Sequence, residues 1–376
     1  MIRTSRRQVL GALGAAAVGV LAGCSRPLSA PPTAAPVGVS PSALSNVFPF
    51  GANTFLSGEV EIPKRERSVQ MLKDAHIGWM KEQFLWDQIE HQRGVLTWDK
   101  YDEIVSLANK YGVKVIARLD FPPAWTHPAK PAFNAPADKD DDYAQFVETF
   151  VKHYQGKVAA IQIWNEPNLA AEWGGKPPDA AAYTRLLKAA YARAKAADPN
   201  IIVLSAPLAE TLERSPRAMV EMDFLQQMYA AGAKGSFDVL SANAYGLAFP
   251  PDDPPRTDRL NFQRFTLLHD VAVKNGEPDK PVWFNEYGWN ASPATFPPDE
   301  LIWGNVTRAQ QAQYTVDGIA LAKKKFPYVG VVNIWYFRQA GNIPKSDSSY
   351  YFDMVDPEFN TEPVYGAVRD AAANWK

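Results

Sequence analysis

Short apolar runs and longer amphipathic segments alternate along the chain from about residue 46 to its end. The apolar runs, rich in β-branched and aromatic residues, predict strands over residues 48–54, 77–83, 113–121, 158–164, 201–205, 237–245, 280–286 and 329–337. Helical periodicity predicts helices over residues 64–75, 101–111, 143–154, 180–197, 217–231, 259–274, 307–325 and 363–375. Strands and helices therefore alternate, and no hairpin signal joins any two strands.

This alternation predicts a parallel sheet whose strands are connected by crossover helices. The apolar runs are continuous, which is typical of strands that are covered on both faces. Eight βα units in roughly 330 residues fit an α/β fold of the (β/α)8 TIM-barrel type with enlarged loops. A doubly wound open sheet is the alternative, but residues 50–54 lack the glycine-rich phosphate loop that usually follows its first strand. We therefore predict one barrel domain over residues 46–376.

Residues 1–24 have the features of an export signal. An Arg-Arg pair at positions 6 and 7 precedes an uncharged stretch of small and apolar residues, as in a twin-arginine signal, and this stretch is too short to span a bilayer. The sequence Leu-Ala-Gly-Cys24 resembles the lipobox of bacterial lipoproteins, in which the cysteine carries the lipid. Cys24 is the only cysteine, so it cannot form an internal disulfide. We expect an extracytoplasmic protein that a lipid on Cys24 attaches to a membrane.

Residues 25–45 contain five prolines and five serines without apolar periodicity, which predicts a linker between the signal and the barrel. The formal net charge of −2 gives no reason to expect nucleic acid as a partner. The five histidines show no metal-ligand spacing, and the chain has no Gly-x-Ser-x-Gly motif. Neither a metal, nor another cofactor, nor serine esterase chemistry is therefore expected.

Two glutamates end predicted strands at the edge where barrel enzymes carry their catalytic residues. Glu166 follows the fourth strand and Glu286 ends the seventh, and the carboxyl ends of all barrel strands meet at one mouth. Strand alternation predicts that Gln162 and Trp164 share the face of Glu166. It likewise predicts that Phe284 shares the face of Glu286. Both glutamates are therefore expected to point at the mouth.

A pair of facing carboxyl groups suits the cleavage of glycosidic bonds. One carboxyl must donate a proton to the leaving oxygen, and the other must meet the oxocarbenium ion that develops at the sugar. Burial or the charge of a neighbouring carboxylate raises the pKa of one group and supplies the acid. A single glutamate in such a position would more often cap a strand end or pair with an arginine. Two of them, each preceded by asparagine, favour catalysis.

The motif Trp-Asn-Glu166-Pro, together with the Glu286 strand, resembles the large clan of retaining (β/α)8 glycoside hydrolases. The resemblance extends over residues 46–376 and is strongest to glycoside hydrolase family thirty-nine, with family five as the second choice. It implies that Glu166 is the acid/base and Glu286 the nucleophile. It also implies that Asn165 hydrogen-bonds the sugar 2-hydroxyl, that Tyr245 contacts the nucleophile, and that Trp335 forms an aromatic platform under the sugar.

The chain departs from the clan pattern at several strand ends. Many relatives place arginine after the second strand, where this chain has Lys81, and histidine on the third and sixth strands, where it has Arg118 and Asn243. We predict that Lys81 and Asn243 contact the substrate instead. Trp125 could line a sugar subsite or pack within its own loop.

The resemblance implies a retaining glycoside hydrolase that cleaves β-glycosidic bonds of an extracellular polysaccharide or oligosaccharide by double displacement. A transglycosylase uses the same covalent intermediate and is a related alternative. An alternative of another class is a lipid-anchored carbohydrate-binding protein without catalysis. Such a protein would typically have lost one of the two carboxylates, and this chain keeps both.

Overall fold

A computed structural model describes residues 39–127, 129, 134–340 and 343–376. The predicted signal, Cys24 and the linker up to residue 38 lie outside the described residues. The strands are β1 Phe50–Asn53, β2 Trp79–Leu85, β3 Lys114–Asp120, β4 Ala160–Ile163, β5 Ile202–Leu204, β6 Leu240–Tyr245, β7 Val282–Gly288 and β8 Val329–Ile334. The α-helices are α1 Pro41–Ser45, α2 Ile62–Asp74, α3 Trp86–Ile89, α4 Asp99–Tyr111, α5 Asp140–His153, α6 Ala180–Ala197, α7 Glu221–Ala230, α8 Phe265–Lys274, α9 Arg308–Lys325 and α10 Pro363–Ala373.

The strands form one parallel sheet in the order β5-β4-β3-β2-β1-β8-β7-β6. A parallel bridge between Leu204 at the end of β5 and Val239 just before β6 joins the two outer strands, so the sheet closes into a barrel. The backbone N–H of Ser205 adds a hydrogen bond of 3.1 Å to the carbonyl of Val239. The predicted (β/α)8 barrel is confirmed, and the doubly wound open sheet is excluded.

The barrel interior is filled at its amino-terminal end by a layer of apolar side chains. This layer is separate from the larger core between sheet and helices. It consists of one residue of α1, one residue just before β6 and residues of six strands: Leu44, Val239, Trp79, Ile116, Ala160, Leu204, Trp283 and Val331. A filled floor leaves the opposite, carboxyl-terminal mouth as the place where side chains can reach a ligand.

Helix α1 completes this floor. Leu44 is 2% exposed, and its carbonyl accepts a hydrogen bond of 2.9 Å from the indole N–H of Trp283. Lys323 of α9 donates a hydrogen bond of 2.6 Å to the carbonyl of Ser45. The folded domain therefore begins before residue 46, the predicted boundary, because α1 carries apolar and backbone groups that the barrel floor buries.

Two predicted helices begin later than their periodicity indicated. Helix α7 begins at Glu221 rather than at residue 217, because Ala218 pairs with Leu169 in an isolated bridge. Helix α8 begins at Phe265 rather than at residue 259, because the side-chain amide of Asn261 donates to the carbonyl of Pro254 and holds the preceding segment as a loop. Loop contacts that no local pattern reveals set both starting points.

Gly330 in β8 is the position at which the floor tolerates no side chain. A Cβ atom there would overlap the indole nitrogen of Trp283 and the carbonyl oxygen of Leu44. We expect Gly330→Ala to lower the free energy of unfolding by about 1–3 kcal/mol, the range typical of overpacking. Urea unfolding followed by tryptophan fluorescence measures this loss.

Gly366→Ala is the matched control, because nothing lies within 4 Å of a Cβ atom at this position in α10. That substitution should leave stability unchanged or raise it by up to about 1 kcal/mol, the helix preference of alanine over glycine. Equal unfolding midpoints for the two variants would contradict the close packing of the floor.

Candidate active site

Glu166 reaches the barrel mouth through two backbone conformations that non-glycine residues seldom adopt. Strand β4 ends at Ile163, and Trp164 and Glu166 then have φ of +72° and +42°. The side-chain amide of Gln162 donates to the carbonyl of Trp164 at 2.7 Å, and the N–H of Glu166 donates to the carbonyl of Pro207 at 3.0 Å. Positive φ at non-glycine residues is costly and is often found at functional sites, where surrounding contacts hold it in place.

This turn makes one alternation prediction wrong. Trp164 does not share the face of Glu166, because its ring lies edge-on to Tyr143 of α5 and to Trp173, with centroids 6.0 and 5.6 Å away. Its indole N–H donates to the carbonyl of Glu172 at 2.8 Å. The regular strand ends before Trp164, so strand alternation no longer applies to the two residues after it.

Strand β7 contains a bulge that alternation could not predict. Phe284 pairs in register with Ala242, but Glu286 pairs with the very next residue of β6, Asn243. Phe284 packs against Phe265 of α8, on the helix side of the sheet, whereas Glu286 faces the mouth. The prediction that Phe284 and Glu286 share a face is therefore wrong, and the extra residue in β7 re-aims the glutamate inward.

Asn53 of β1 stabilises this bulge. Its side-chain amide donates to the carbonyl of Asn285, the extra residue, at 3.0 Å. A bulge removes one residue from the regular ladder of hydrogen bonds, and a buried carbonyl needs another donor. The geometry that presents Glu286 thus depends on a side chain from β1, which β8 separates from β7 in the sheet.

Glu286 is 6% exposed and is held by two polar side chains. The phenol of Tyr245, at the end of β6, donates to its Oε2 atom at 2.7 Å. The ammonium of Lys81 lies 3.4 Å from its Oε1 atom. Both contacts stabilise the ionised carboxylate. The contact predicted between Tyr245 and the nucleophile candidate is present, and Lys81 contacts Glu286 in the same site.

Glu166 lies in a different environment. The side-chain amide of Asn243 donates to its Oε1 atom at 2.6 Å. Burial raises the pKa of Glu166 to about 8, and the negative charge of Glu286 adds to this rise. Glu166 is therefore protonated at neutral pH, which gives the two carboxyl groups opposite chemical characters: one can donate a proton, and the other is a stabilised anion.

Lys81 is 3% exposed and almost fully desolvated. Burial lowers its pKa to about 8, although the adjacent Glu286 carboxylate opposes this change. Lys81 is therefore charged at neutral pH but loses its proton far more readily than an arginine at this position would.

Asn165 and Trp335 lie in the same mouth. Asn165 is buried, and its Oδ1 atom has no hydrogen-bond partner among the described residues. Trp335 is half-buried and stands edge-on to Phe55 at 5.5 Å, and both belong to the aromatic cluster that contains Tyr245. These positions fit the predicted roles, which remain predictions.

Trp125 has contacts typical of loop packing. Its indole N–H donates to the carbonyl of Glu90 at 2.9 Å, and its ring lies edge-on to Trp86 at 5.5 Å. The guanidinium of Arg93 lies over the ring at 4.6 Å. Of the two alternatives left open by the sequence, these contacts support loop packing.

Sequence reasoning missed two glutamates near the mouth, the buried Glu82 and the half-buried Glu210. Glu82 in β2 accepts hydrogen bonds from the Thr54 hydroxyl and from the backbone N–H of Leu56, and so fixes the loop after β1. Glu210, in the loop after β5, lines a cavity together with Glu166. Glu82 lies within β2 and Glu210 lies in the loop after β5, and neither stands in a recognisable motif such as those of Glu166 and Glu286.

Two further features of the described residues concern metal sites and membrane spans. No group of three or more His, Cys, Asp or Glu side chains in this part of the chain is arranged to hold a metal ion. Within the same residues, every helix is too short or too polar to cross a bilayer.

Comparison with known proteins shows which structures share this fold. No protein-family model matches the sequence, and no curated protein matches it. A solved family 39 glycoside hydrolase from the gut symbiont Bacteroides cellulosilyticus WH2 is similar in structure, with a TM-score of 0.68 and 18% identity; the alignment covers 90% of this chain but only 65% of that one. GH5_18 from Streptomyces cattleya, in complex with GlcNAc, has a TM-score of 0.64 and 14% identity, with 88% and 80% of the two chains covered.

Xylanase 10B from Thermotoga petrophila RKU-1, in complex with xylobiose, is similar at a TM-score of 0.57 and 14% identity, over 89% of this chain and 97% of that one. At these identities the likeness shows the fold alone. The chain shares the (β/α)8 barrel of glycoside hydrolases, and both families that its motif resembles are among the structures that share it.

Charge coupling between the two glutamates can be measured without any substrate. In the native protein, the carboxyl carbon of Glu166 should titrate near pH 8 by NMR of ¹³C-labelled glutamate. Glu286→Gln removes the neighbouring negative charge, so the pKa of Glu166 should fall.

Glu172→Gln is the matched control, because the charge of Glu172 also raises the pKa of Glu166 but contributes less than Glu286. Its effect should have the same direction and be smaller. A native Glu166 that titrates at about 4.3, the ordinary glutamate value, would contradict the buried pair.

Proposed function

We propose that this protein is a retaining glycoside hydrolase that cleaves β-glycosidic bonds of a polysaccharide or oligosaccharide. The observation that carries the proposal is the difference between the two mouth carboxyls: burial raises the pKa of Glu166 to about 8, whereas Glu286 accepts a hydrogen bond from Tyr245 and lies 3.4 Å from the ammonium of Lys81. A general acid beside a carboxylate nucleophile is the arrangement that a double displacement at a sugar requires.

In the first step, Glu286 attacks the anomeric carbon while the bond to the leaving oxygen breaks. Glu166 gives its proton to that oxygen, so the leaving group departs as a neutral alcohol. Tyr245 and Lys81 orient the attacking carboxylate. Asn165 offers its unpartnered Oδ1 atom to a sugar hydroxyl, and Trp335 and Phe55 offer an aromatic wall to the ring.

In the second step, water attacks the anomeric carbon and releases Glu286. Once Glu286 is esterified, its negative charge no longer acts on Glu166, so the pKa of Glu166 falls. The same residue that was an acid in the first step can then accept the proton of water as a base. Glu166 thus changes from acid to base because the negative charge of Glu286 is lost in the intermediate.

The comparisons support a carbohydrate substrate at the level of the fold. The similar structures are named as glycoside hydrolases, and two of them were solved with GlcNAc or xylobiose bound. The buried, fully formed carboxylate pair argues against the alternative of a binding protein without catalysis, because a site that only binds sugar has no need of a protonated glutamate.

The amino-terminal motifs support a proposal for location. The Arg-Arg pair at positions 6 and 7 and the sequence Leu-Ala-Gly-Cys24 resemble those of exported lipoproteins. We infer that the barrel acts outside the cytoplasm, attached to a membrane through a lipid on Cys24, where polymeric sugars are accessible.

The roles of the two glutamates can be separated by substitution. Glu286→Gln removes the nucleophile, so hydrolysis should fall by several orders of magnitude for every substrate. Glu166→Ala leaves the nucleophile, so an activated nitrophenyl glycoside should still form the glycosyl-enzyme and then stall, whereas an unactivated oligosaccharide should react about 10²–10⁴-fold more slowly. Azide needs no general base, so it should restore turnover and give a glycosyl azide of unchanged anomeric configuration.

Glu172→Ala serves as the control for Glu166→Ala, because it removes a neighbouring carboxyl that also influences Glu166. Azide should not accelerate this variant. A folded Glu166→Ala protein that azide fails to rescue, or a glycosyl azide of inverted configuration by NMR, would contradict the assignment.

The lipid anchor has its own test. Cys24→Ala removes the site of lipid attachment, so the protein should move from the membrane fraction to the soluble fraction with unchanged activity. Mass spectrometry of the native protein should find a lipid on Cys24. Native protein that is free in the medium with an unmodified Cys24 would show that the anchor proposal is wrong.

A further inference from the structure

Charged side chains are distributed unevenly along the barrel axis. The helices run antiparallel to the strands, so their first turns lie at the mouth and their last turns at the floor. Acidic residues occupy the first turns of α4, α5 and α7. The last turns of α2, α4, α5, α6, α8 and α9 each contain at least one lysine. The formal net charge of −2 conceals this asymmetry.

Six lysines at the floor are exposed and form no ion pair with any carboxylate that the structure describes. Each lies in the last turn of a helix, in the segment that leads to the next strand, or at the first position of that strand. We call them the basic face: Lys73, Lys114, Lys157, Lys234, Lys274 and Lys324. The exposed acids of the same segments that lack a basic partner are Asp74 and Asp279. Positive charge therefore dominates this end of the molecule.

Helix stabilisation explains only part of the basic face. A lysine in a last turn interacts favourably with the partial negative charge of the final carbonyl groups, and this effect fades within one turn. Lys114, Lys157 and Lys234 lie outside the helices, each three or four residues past a helix end. An anionic partner accounts for these lysines as well as for those in the last turns.

The chain enters the folded domain through this same face. Helix α1 packs on the floor through Leu44, and only residues 25–38 separate Cys24 from the described residues. A fully extended segment of this length spans at most about 50 Å. A lipid on Cys24 would therefore keep the floor close to a bilayer. Val39 and Phe48, each 38% exposed, add apolar surface here, and aromatic side chains are favoured at a membrane interface.

We propose that the basic face docks on a membrane that contains anionic lipids, so that the active-site mouth faces away from that membrane. The proposal rests on the location inferred above and adds an orientation to it. Lysines near an anionic bilayer each strengthen binding, and they act together with a lipid anchor.

This orientation limits the substrates that can reach the site. Strand β2 alone, with seven residues, spans about 20 Å between the floor and the mouth. Glu166 and Glu286 then lie at the end of the barrel that is far from the bilayer. The substrate is a polymer or oligosaccharide that approaches from the outer side, and not the head group of a glycolipid in the anchoring membrane.

Vesicle binding tests the basic face without the lipid. The full chain with Cys24→Ala is sedimented with vesicles of phosphatidylcholine alone or of phosphatidylcholine mixed with phosphatidylglycerol. We expect binding to require phosphatidylglycerol and to weaken as the salt concentration rises, because salt screens exposed charges. The combined substitutions Lys73→Gln, Lys274→Gln and Lys324→Gln should weaken this binding about tenfold or more.

The matched control removes three lysines from the mouth end. Lys139, Lys176 and Lys345 lie in loops that follow strands, are exposed and pair with no described carboxylate. Their combined replacement by Gln changes the net charge equally and should leave vesicle binding within about twofold of the native value. All variants keep residues 1–23, so any binding by that segment is common to them.

The orientation is measured on the lipid-modified protein in the same mixed vesicles. Ser42→Cys in α1 and Ser346→Cys after β8 introduce a thiol at exposed positions of the floor and the mouth. A fluorescent label at position 42 should be quenched by lipids that carry a spin label in the head group. The same label at position 346 should not be quenched.

Four results would overturn the proposal. Binding that does not depend on phosphatidylglycerol, or equal losses in the basic-face and control variants, would show that this face is not the docking surface. A lower melting temperature with undiminished binding in the basic-face variant would show that its lysines only stabilise helix ends. Quenching at position 346 would show that the mouth faces the bilayer. Binding to dextran sulfate but not to vesicles would identify an anionic polysaccharide as the partner.

The location and the docking face can fail separately. An unmodified Cys24 in the native protein would contradict the lipid anchor, whereas the vesicle assay on the Cys24→Ala protein does not require a lipid.

Discussion

The negative charge of Glu286, placed beside Glu166 where little water can screen it, is the interaction on which the chemistry of this barrel depends. Burial alone would raise the pKa of Glu166, and the adjacent charge raises it further. The same charge must be stabilised at Glu286, and Tyr245 and Lys81 do this at 2.7 and 3.4 Å. Two identical side chains thus acquire different protonation states because their neighbours differ.

The barrel maintains this arrangement with parts that never touch the reacting groups. Trp283 fills the floor, and its indole N–H donates a hydrogen bond to the carbonyl of Leu44 in α1. The floor is therefore closed, and the opposite end of the barrel is the open one. Asn53 binds the carbonyl of Asn285 and so stabilises the bulge in β7 that turns Glu286 inward. Much of the precision of the site therefore comes from buried polar contacts within the strands, which local sequence does not display.

The sequence was sufficient to predict the repeating elements of the fold and the site residues that stand in a motif. Eight apolar runs separated by helical periods predicted the barrel, and the Asn-Glu166-Pro motif and Glu286 identified the carboxyls that meet at its mouth. The reasoning from alternation was wrong for Trp164, where the strand has already ended, and for Phe284, which a bulge separates from Glu286. The bulge is held by the side chain of Asn53 and the turn at Glu166 by the carbonyl of Pro207, both of which are far from these sites in sequence, so period-two patterns cannot report either feature.

Glu210 is a further residue whose position near the site could not be predicted from local sequence patterns. It stands in no motif and no regular strand, and its relation to the site arises only because the loop after β5 folds back to the N–H of Tyr245. A carboxyl group of this kind becomes recognisable from its surroundings: an unpartnered buried oxygen and a shared cavity wall with Glu166. In a fold whose loops carry the specificity, such residues are the ones that a sequence reveals last.

Because residue 81, beside Glu286, is a lysine rather than an arginine, the net charge of the site depends on pH. In the buried trio of Lys81, Glu286 and Glu166, Lys81 is charged and Glu166 is neutral at neutral pH, because both have a pKa of about 8, so the lysine balances the carboxylate beside it. Arg118 is paired with the buried Asp120, and its charge still lowers the pKa of both Lys81 and Glu166. As the pH rises through about 8, both Lys81 and Glu166 lose protons, and the trio would become doubly negative in a desolvated space. An arginine would keep its charge throughout this range. The lysine therefore removes the counter-charge of the nucleophile over the same pH range in which the acid loses its proton.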